Sequence, residues 1–297
     1  MKSQVAIVIV NYNGWKDTVD CLRSLEEVSY SFFEVFVVDN ASTDNSCEEL
    51  KRAIDKLSIN VTLIEEKENK GFSAGNNIGI RYALNKGFDY YLMLNNDTVV
   101  DKHFLDRLLE SFELEKVGAA IGEIYFESNR QKIWYAGGNL NKKTMKPSHF
   151  RYNQIETTHI SEKKEVTFAT GCCICFSREV LEKIGLWNEL FFLYEEDVDF
   201  SLRIVNAGFK IIYNSDAIIY HKVSASTGLI KGNAQYYQIR NRLWLINKYQ
   251  NCMGKVIANI YTVLLCINRV LKREFQIGPM LSAYKDFIKG KMGKREF

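Results

Sequence analysis

The sequence predicts an α/β protein with a mostly parallel central sheet flanked by helices, followed by a helical C-terminal appendage. In the first third of the chain, four short apolar runs alternate with segments whose apolar residues recur at helical spacing. Each run is continuously apolar, as is typical of strands that are covered on both faces. Strands that alternate with helices in this way form parallel sheets with right-handed crossovers.

Size and composition limit the possible functions. The chain has 297 residues, of which 46% are hydrophobic and 25% are charged, enough for one large domain and an appendage. We expect a domain over residues 1–232, with halves at about 1–116 and 117–232, and a helical region over residues 233–297. The net charge of +3 is small, so the chain as a whole gives no indication of nucleic-acid binding.

The cysteines indicate a reducing compartment. There are seven, an odd number scattered through apolar segments, and the first four residues carry no secretory signal, which favours free thiols in the cytoplasm. Cys172, Cys173 and Cys175 lie in a segment of strand character, so we expect buried small side chains there and no zinc site. No segment offers the roughly 20 uninterrupted apolar residues of a membrane-spanning helix.

The first two predicted strands cover residues 5–10 and 35–38. The first ends at Asn11 and precedes a helix over residues 15–25, and the intervening loop matches neither the dinucleotide fingerprint nor a P-loop. The second ends at Asp39 and Asn40, and residues 42–44 offer caps for a helix that runs to residue 57. Asp39 therefore lies where a base or a ribose would be bound.

The third predicted strand, residues 61–64, leads into a polar loop over residues 69–77. Lys70, Gly71 and Asn76 belong to this loop, which opens a helix that runs to about residue 86. A loop of this kind brings backbone N–H groups and a cation close to a diphosphate or a base.

The fourth predicted strand, residues 90–94, ends in Asn95, Asn96 and Asp97. A carboxylate beside amide oxygens at the carboxyl end of a strand suits a hard divalent cation, so Asp97 is the metal candidate. The alternative is a turn followed by the cap of a helix over about 101–116. Asn11, Asp39 and Asp97 should converge on one edge of the sheet.

The second half starts with predicted strands over 117–126 and 133–140. A polar, irregular stretch over 141–164 follows, which we interpret as a flap over the site. Next come a strand over 167–176 and a short helix from Ser177. Two short strands over 210–213 and 217–220 precede His221, which is either a packing residue or a ligand. Residues 222–232 suggest a loop that closes over a bound molecule.

Four carboxylates within five residues open another predicted helix: Glu195, Glu196, Asp197 and Asp199. The helix dipole favours acidic residues in a first turn, which explains part of this cluster. On a helix Glu196 and Asp199 share one side and Asp197 lies about one hundred degrees away, so they cannot all have one role. We expect one carboxylate to act as a base and another to hold a backbone amide or Arg203.

Helices over 235–249 and 255–273 are predicted in the C-terminal region. The second carries a polar stripe on an otherwise apolar helix, formed by Lys255, Asn259, Thr262, Cys266, Arg269 and Arg273. From residue 269 to the end, eight Lys or Arg residues stand against three Asp or Glu. This pattern fits a helix that lies in a membrane interface, and the alternative is an oligomer or domain contact.

The motifs at 10–13, 38–44, 69–77, 94–97, 196–199 and 221 occur in an order that resembles family 2 glycosyltransferases, particularly the bacterial rhamnosyltransferase-like branch. The resemblance covers residues 5 to about 242. It implies a GT-A fold with a nucleotide-binding half and an acceptor half, a nucleotide-diphosphate sugar donor, a divalent cation (Mg²⁺ or Mn²⁺) and inversion at the anomeric carbon.

By the same resemblance, Asp39 would contact the nucleotide base, Asp197 would be the catalytic base, and Asp97 and His221 would bind the metal. Asn95 stands where the family's DXD motif has its first Asp, which implies a looser metal dependence. The remaining residues expected to bind substrate are Asn11, Asn40, Lys70, Gly71, Asn76, Asn95, Asn96 and Glu196.

The implied substrates are dTDP-rhamnose or a UDP-hexose and a hydroxyl of a growing bacterial surface glycan, free or lipid-linked. We expect a cytoplasmic protein that is peripheral on the inner face of the membrane through residues 255–297, and a homo-oligomer is a further expectation. One rival, a sugar nucleotidyltransferase, needs a glycine-rich phosphate loop after the first strand, which residues 11–15 do not provide. A non-catalytic nucleotide-sugar-binding scaffold subunit would lack a carboxylate at the base position, which Asp197 supplies.

Overall fold

The computed structural model describes residues 2–223 and 231–295. The first half of the predicted domain, residues 1–116, contains β1 (Val5–Asn11), α1 (Trp15–Glu26), β2 (Phe33–Asp39), α2 (Ser46–Ile54), β3 (Val61–Glu65), α3 (Phe72–Leu84), β4 (Tyr90–Leu94), β5 (Thr98–Val100) and α4 (Phe104–Glu110). A single 3₁₀ turn, Ser111–Glu113, follows α4. Most of the loop expected over 222–232 lies outside the described residues.

The second half, residues 117–232, contains β6 (Val117–Phe126), β7 (Asn129–Tyr135), β8 (Gly138–Asn141), β9 (Lys146–His149), β10 (Lys163–Val166), β11 (Cys173–Ser177), α5 (Arg178–Ile184), α6 (Glu196–Asn206) and β12 (Lys210–His221). The C-terminal helices are α7 (Lys231–Tyr249), α8 (Cys252–Leu271) and α9 (Ile277–Ile288). The seven cysteines are free thiols.

One ten-stranded sheet joins the two halves. Its order is β10-β12-β6-β11-β4-β1-β2-β3, with β5 added to β12 and β7 added to β6. The pairs β4–β1, β1–β2, β2–β3 and β6–β12 are parallel, whereas β11 runs antiparallel between β4 and β6. Six of the ten strands therefore share one direction, and the predicted α/β class is confirmed. The continuously apolar runs became central strands because helices cover both faces of the sheet.

The structure differs from the sequence predictions mainly in the second half, residues 117–232. The two strands expected over 210–220 are one strand, β12, with an irregularity between Asn214 and Ile218. Buried Asn214 donates to the carbonyl of Arg107 at 2.6 Å, so its polar side chain interrupts the apolar pattern without ending the strand. The strand expected over 133–140 divides at Gly137, whose φ of 82° is left-handed. The strand expected over 167–176 begins only at Cys173.

The polar stripe of α8 faces the protein at Thr262 and Cys266, and most of the apolar residues of the helix face solvent. Ala258, Thr262 and Cys266 are the buried residues of this helix, and Arg242 of α7 donates to Thr262 Oγ1 at 3.1 Å. The outward face is 41–75% exposed over Met253, Val256, Ile257, Ile260, Val263, Leu264 and Ile267. By length and composition, α8 is the one helix among the described residues that meets the requirements for crossing a membrane, with a mean hydropathy of 1.3.

Candidate functional site

The ends of β1 and β2 form the first part of the site. Parallel pairing places Asn11 opposite Asp39, and Asn11 Nδ2 donates to Asp39 Oδ1 at 2.7 Å. The carboxylate also accepts from Ser42 Oγ at 2.6 Å and from Ser42 N at 3.0 Å. Asp39 is 1% exposed, and these bonds fix the loop after β2. Contact between Asp39 and a nucleotide base stays a prediction.

The loop after β3 is held by bonds within the protein. Asn40 Oδ1 accepts from Lys70 N at 3.0 Å, and Asn40 Nδ2 donates to the carbonyl of Gly71 at 3.1 Å. Gly71 N donates to Asn69 Oδ1 at 2.9 Å. Protein oxygens accept from both of these backbone N–H groups, and contact between this loop and a ligand stays a prediction.

The side chains of this loop are also paired. Lys70 Nζ forms an ion pair with Glu66 at 2.7 Å, and Asn76 Nδ2 donates to the carbonyl of Phe72 at 2.9 Å. Gly71 has a φ of 86°, and a Cβ there would lie 2.3 Å from the carbonyl oxygen of Phe192. Only glycine fits this approach, which joins the loop to the segment that precedes the acidic cluster.

Asp97 and His221 are brought together by an element that sequence analysis missed. β5 follows Asp97 directly and pairs with the end of β12, so that Thr98 lies opposite His221. His221 Nε2 consequently lies 3.1 Å from Asp97 Oδ1. His221 Nδ1 is buried and has no hydrogen-bond partner among the described residues. A carboxylate oxygen beside an imidazole nitrogen is a donor set that suits Mn²⁺ and similar divalent ions.

The two asparagines before Asp97 have structural contacts. Asn95 N donates to the carbonyl of Cys172 at 2.8 Å. Asn96 Nδ2 donates to Thr18 Oγ1 at 3.1 Å, so its amide points toward α1. The assignment of Asn95 and Asn96 as substrate-binding residues stays a prediction.

A second cluster, formed by Glu123, Glu156 and His159, lies apart from the Asp97–His221 pair. Ligand atoms of Glu123, Glu156 and His159 lie within 4.8 Å of one another. The guanidinium of Arg151 contacts Glu123 at 3.4 Å and Glu156 at 2.5 Å, and Tyr125 donates to both carboxylates. These contacts compensate the acidic charge, and the group links β6 to the polar stretch over 141–164.

The four carboxylates at the start of α6 have different environments. Asp199 is fully buried and accepts from Arg203 Nε at 2.8 Å, Lys248 Nζ at 2.9 Å and Tyr249 Oη at 2.7 Å. The expected pairing of one carboxylate with Arg203 is thus confirmed at Asp199. Its bonds connect α6 to α7, so this residue has a structural role.

Burial raises the pKa of both Asp197 and Glu196. Asp197 accepts from Gly171 N at 3.3 Å and Val198 N at 2.9 Å, and burial raises its pKa to about 6. Burial, reinforced by the charge of Asp197, raises the pKa of Glu196 well above its usual range. Asp197 is therefore mostly deprotonated at neutral pH, while burial favours the neutral form of Glu196.

A two-residue segment joins this cluster to the end of β4. Gly171 donates its N–H to Asp197, and the adjacent Cys172 accepts from Asn95 N. Sequence analysis placed both residues in a strand and missed this link. The sequence feature that could have indicated this link is Gly171 before an apolar run, but a single glycine in this position also occurs in ordinary strands.

A strained turn presents the acidic cluster. Tyr194 and Glu195 have φ values of 67° and 70°, which are left-handed and unfavourable for side chains of this size. Asn241 Nδ2 of α7 donates to the carbonyls of Leu193 and Tyr194 at 2.9 and 2.8 Å. Asn241 Oδ1 accepts two bonds from buried Arg240, at 3.1 and 3.0 Å. The C-terminal region therefore supports the site, and the domain boundary at residue 232 stays a prediction.

Asn241→Ala is expected to lower the free energy of unfolding by about 2–4 kcal/mol, because it removes two of the hydrogen bonds of buried Arg240 and leaves two carbonyls without their donor. Asn241→Asp is the matched variant, since it keeps an acceptor for Arg240 and cannot donate to the carbonyls. Urea denaturation should show the smaller loss for Asn241→Asp. Equal stability of both variants and the wild type would contradict a supporting role for Asn241.

A cleft of about 680 Å³ lies beside the turn. It is lined by β9 and its neighbours, by α7 and by α8: Trp134, Lys146, Pro147, Ser148, His149, Tyr152, Glu195, Gln238, Ile239, Arg242, Thr262, Leu265, Cys266, Arg269 and Phe275. The ring of Trp134 packs against His221 with centroids 4.6 Å apart. The cleft thus borders both the Asp97–His221 pair and the acidic cluster.

Comparisons with known proteins agree with this geometry. The family model described as "Glycosyl transferase family 2" matches residues 6–185. The dTDP-rhamnosyl transferase RfbF of Shigella flexneri is 26% identical over 99% of this chain and 98% of its own length. The N-acetylglucosaminyl-diphospho-decaprenol L-rhamnosyltransferase of Mycobacterium tuberculosis is 25% identical over 77% of this chain and 79% of its own.

Solved structures resemble the fold. The mannosyltransferase PcManGT from Pyrobaculum calidifontis, in complex with GDP-Man and Mn²⁺, superimposes with a TM-score of 0.63 at 17% identity. The match covers 96% of this chain and 74% of that protein. At this identity the likeness concerns the fold.

Proposed function

The chain belongs to glycosyl transferase family 2, and we propose that it inverts the anomeric centre of a sugar as it transfers it from a nucleotide diphosphate. It is a glycosyltransferase of surface-glycan biosynthesis with a GT-A fold. The observation that carries the inverting mechanism is the geometry of the acidic cluster: two backbone N–H groups hold the carboxylate of Asp197, whereas Asp199 is held in an ion network with Arg203 and Lys248. The scaffold interpretation is not favoured.

Asp197 is the proposed general base. Its carboxylate would take the proton of the acceptor hydroxyl as that oxygen attacks the anomeric carbon, and the bond to the nucleotide diphosphate breaks on the opposite face. The N–H groups of Gly171 and Val198 hold the carboxylate in place. With one base and no covalent nucleophile, a single displacement inverts the configuration.

Asp97 and His221 are the proposed ligands of a Mg²⁺ or Mn²⁺ ion. The 3.1 Å separation of their donor atoms and the hard-to-borderline character of those atoms fit such an ion. Bound there, the cation would stabilise the negative charge that develops on the leaving diphosphate. The presence of Mn²⁺ in the complex of the Pyrobaculum protein supports this assignment.

The proposed donor is dTDP-rhamnose, as the name of the Shigella relative suggests, with a UDP-hexose as the alternative. The test is calorimetric titration of the purified protein with dTDP, UDP and GDP, each with and without Mn²⁺. We expect one nucleotide, dTDP, to bind, and to bind more tightly with the metal. If none binds under either condition, the proposed donor site is wrong.

The pH dependence of transfer should reflect the protonation of Asp197. A base must be deprotonated to act, and burial raises the pKa of Asp197 to about 6. We therefore expect kcat/KM to rise about tenfold per pH unit below pH 6 and to level above it. The measurement is a pH profile over the range in which circular dichroism shows a folded protein. A profile that stays flat down to pH 5 would contradict this assignment.

We propose that α8 places the enzyme on the inner face of the cytoplasmic membrane, where a lipid-linked glycan would serve as acceptor. The support is the exposed apolar face of α8 together with the basic residues that follow it. A second copy of the chain on the same face is the alternative, which would make the protein a homo-oligomer.

Ile260→Glu combined with Leu264→Glu is expected to reduce the membrane-bound fraction about tenfold or more, because two exposed apolar side chains would no longer enter the interface. Tyr82→Glu with Leu114→Glu is the control, since both residues are similarly exposed and lie outside α8. The measurement is sedimentation with anionic vesicles. Unchanged sedimentation together with a halved molar mass would favour the oligomer contact instead.

A further inference from the structure

A chain of hydrogen bonds crosses the carboxyl edge of the sheet from Asn96 to Asp39, and Thr18 of α1 lies at its centre. Asn96 Nδ2 donates to Thr18 Oγ1 at 3.1 Å, and Thr18 Oγ1 donates to Asn11 Oδ1 at 2.8 Å. Asn11 Nδ2 donates to Asp39 Oδ1 at 2.7 Å. The chain therefore joins the neighbour of the proposed cation ligand Asp97 to the residue predicted to contact the nucleotide base.

The carboxylate of Asp39 sets the direction of every bond in this chain. It is the acceptor in each of its hydrogen bonds with the described residues, so Asn11 turns its NH2 group toward Asp39 and its carbonyl oxygen toward Thr18. The single proton of the Thr18 hydroxyl goes to Asn11 Oδ1 at 2.8 Å, because the carbonyl of Gly14 lies farther away at 3.1 Å. The Thr18 oxygen is then an acceptor for the NH2 group of Asn96, whose amide oxygen is turned away from α1.

The middle of this chain is closed to solvent. Asn11 and Thr18 are fully buried, and Thr18 is the one donor to Asn11 Oδ1 among the described residues. A buried polar group that loses its partner costs free energy, and hydrogen bonds in a network reinforce one another. Removal of the Thr18 hydroxyl would therefore release Asn96 at one end of the chain and Asn11, with Asp39, at the other.

Gly14 provides the space in which Asn96 reaches Thr18. A Cβ at residue 14 would lie 2.8 Å from Asn96 Nδ2 and 3.6 Å from Asn11 Oδ1. The first distance is too short for a van der Waals contact, and the second is an ordinary one. The φ of −138° is negative, so the backbone here does not itself require glycine. An alanine would displace the amide of Asn96 and leave the bond between Thr18 and Asn11 in place.

We propose that Thr18 is a positioning residue that couples the two parts of the donor site. Its oxygen holds the amide of Asn96 beside the cation ligands, and its proton holds Asn11 and thereby the carboxylate of Asp39. This role rests on the proposed function, because Asp97 must bind the cation and Asp39 the base for Thr18 to link the two. Thr18 itself touches neither ligand and acts through its two asparagine neighbours.

The test is calorimetry in Mn²⁺ with two probes, methyl diphosphate and dTDP. The affinity for methyl diphosphate reflects the cation part of the site, and the factor by which dTDP binds more tightly reflects the base part. Thr18→Val keeps the shape of the side chain and removes the hydroxyl. We expect it to weaken methyl diphosphate about fivefold and dTDP about twentyfold or more, since each part loses a buried hydrogen bond. Thr18→Ser, which keeps the hydroxyl, should bind both probes within about twofold of the wild type.

Two further variants separate this role from a general loss of stability. Ser24 also lies on α1, and its hydroxyl accepts from Val100 N at 3.1 Å, at the end of β5 remote from Asp97. Ser24→Ala should therefore bind both probes as the wild type does. Gly14→Ala displaces Asn96 alone, so it should weaken both probes by the same factor and leave the advantage of dTDP over methyl diphosphate unchanged.

The coupling is overturned if Thr18→Val weakens both probes equally, if it affects neither, or if Ser24→Ala shares its losses. It is also overturned if Thr18→Ser fails to restore binding, or if Gly14→Ala reduces the advantage of dTDP as much as Thr18→Val does. Equal affinity of the wild type for the two probes, or no binding of methyl diphosphate, would have the same meaning, because one part of the site would then contribute nothing. Failure of the wild type to bind dTDP would instead contradict the proposed function.

Discussion

Asp197→Asn is expected to lower kcat by about a thousandfold, within the range that a general base contributes, while donor affinity stays within about twofold. Asparagine has nearly the shape of aspartate, and its Oδ1 still accepts the N–H of Val198 or Gly171. It cannot take a proton from the acceptor hydroxyl. The measurement is steady-state transfer from the donor, with dTDP binding determined separately.

Asp199→Asn provides the contrast for this experiment. Asp199 is bonded to Arg203, Lys248 and Tyr249, so removal of its charge should lower the melting temperature by several degrees or more. The molecules that remain folded should retain turnover. Asp197→Asn should show the opposite pattern, with an unchanged melting temperature and no turnover. If Asp197→Asn keeps wild-type kcat, Asp197 is not the base.

The fold of residues 1–116 was predictable because its sequence signals are local. Each of the first four strands is a continuous apolar run that ends in polar residues, and their observed limits differ from the predictions by at most two residues. Three of these strands, β1, β2 and β4, lie inside the sheet, as continuously apolar runs are expected to do, whereas β3 forms its edge. The convergence of Asn11 and Asp39 follows from the same logic, because parallel neighbours end at the same edge.

The rest of the site was not predictable because its determinants are distant in sequence. The contact between Asp97 and His221 depends on β5, a three-residue strand that pairs with β12, and so short a run has no periodicity. Asn241 supports the turn at Tyr194 from 47 residues away. Neither Asn241 nor Tyr194 lies in a local sequence pattern that would have indicated this contact.

The sequence also did not predict which face of α8 packs against the protein. The residue spacing predicted a polar stripe on this helix. In a surface helix the polar residues usually face solvent. The stripe instead packs on α7, where Thr262 accepts from Arg242. A buried arginine needs polar neighbours, and the inward polar stripe supplies them. The apolar face is left outside, which is the arrangement expected of a helix that contacts a membrane or a partner.

Asp97→Ala is expected to weaken dTDP binding about tenfold to a hundredfold in the presence of Mn²⁺ and to leave metal-free binding nearly unchanged. The loss should be of this order because second-shell and ligand changes at metal sites commonly reduce metal affinity by such factors. His221→Ala should act in the same direction, since its Nε2 lies 3.1 Å from Asp97 Oδ1. Titration calorimetry at several Mn²⁺ concentrations measures both effects.

Asn95→Ala is the matched comparison, because Asn95 stands at the first position of the same motif with a weaker, uncharged oxygen. We expect it to reduce metal-dependent binding less than Asp97→Ala does, as a site with one carboxylate and one imidazole depends mainly on those two groups. Equal losses for Asp97→Ala with and without Mn²⁺ would indicate that the carboxylate orders the loop between β4 and β5 instead of binding a cation. In that case the affinity of the wild-type protein for dTDP should also be independent of Mn²⁺.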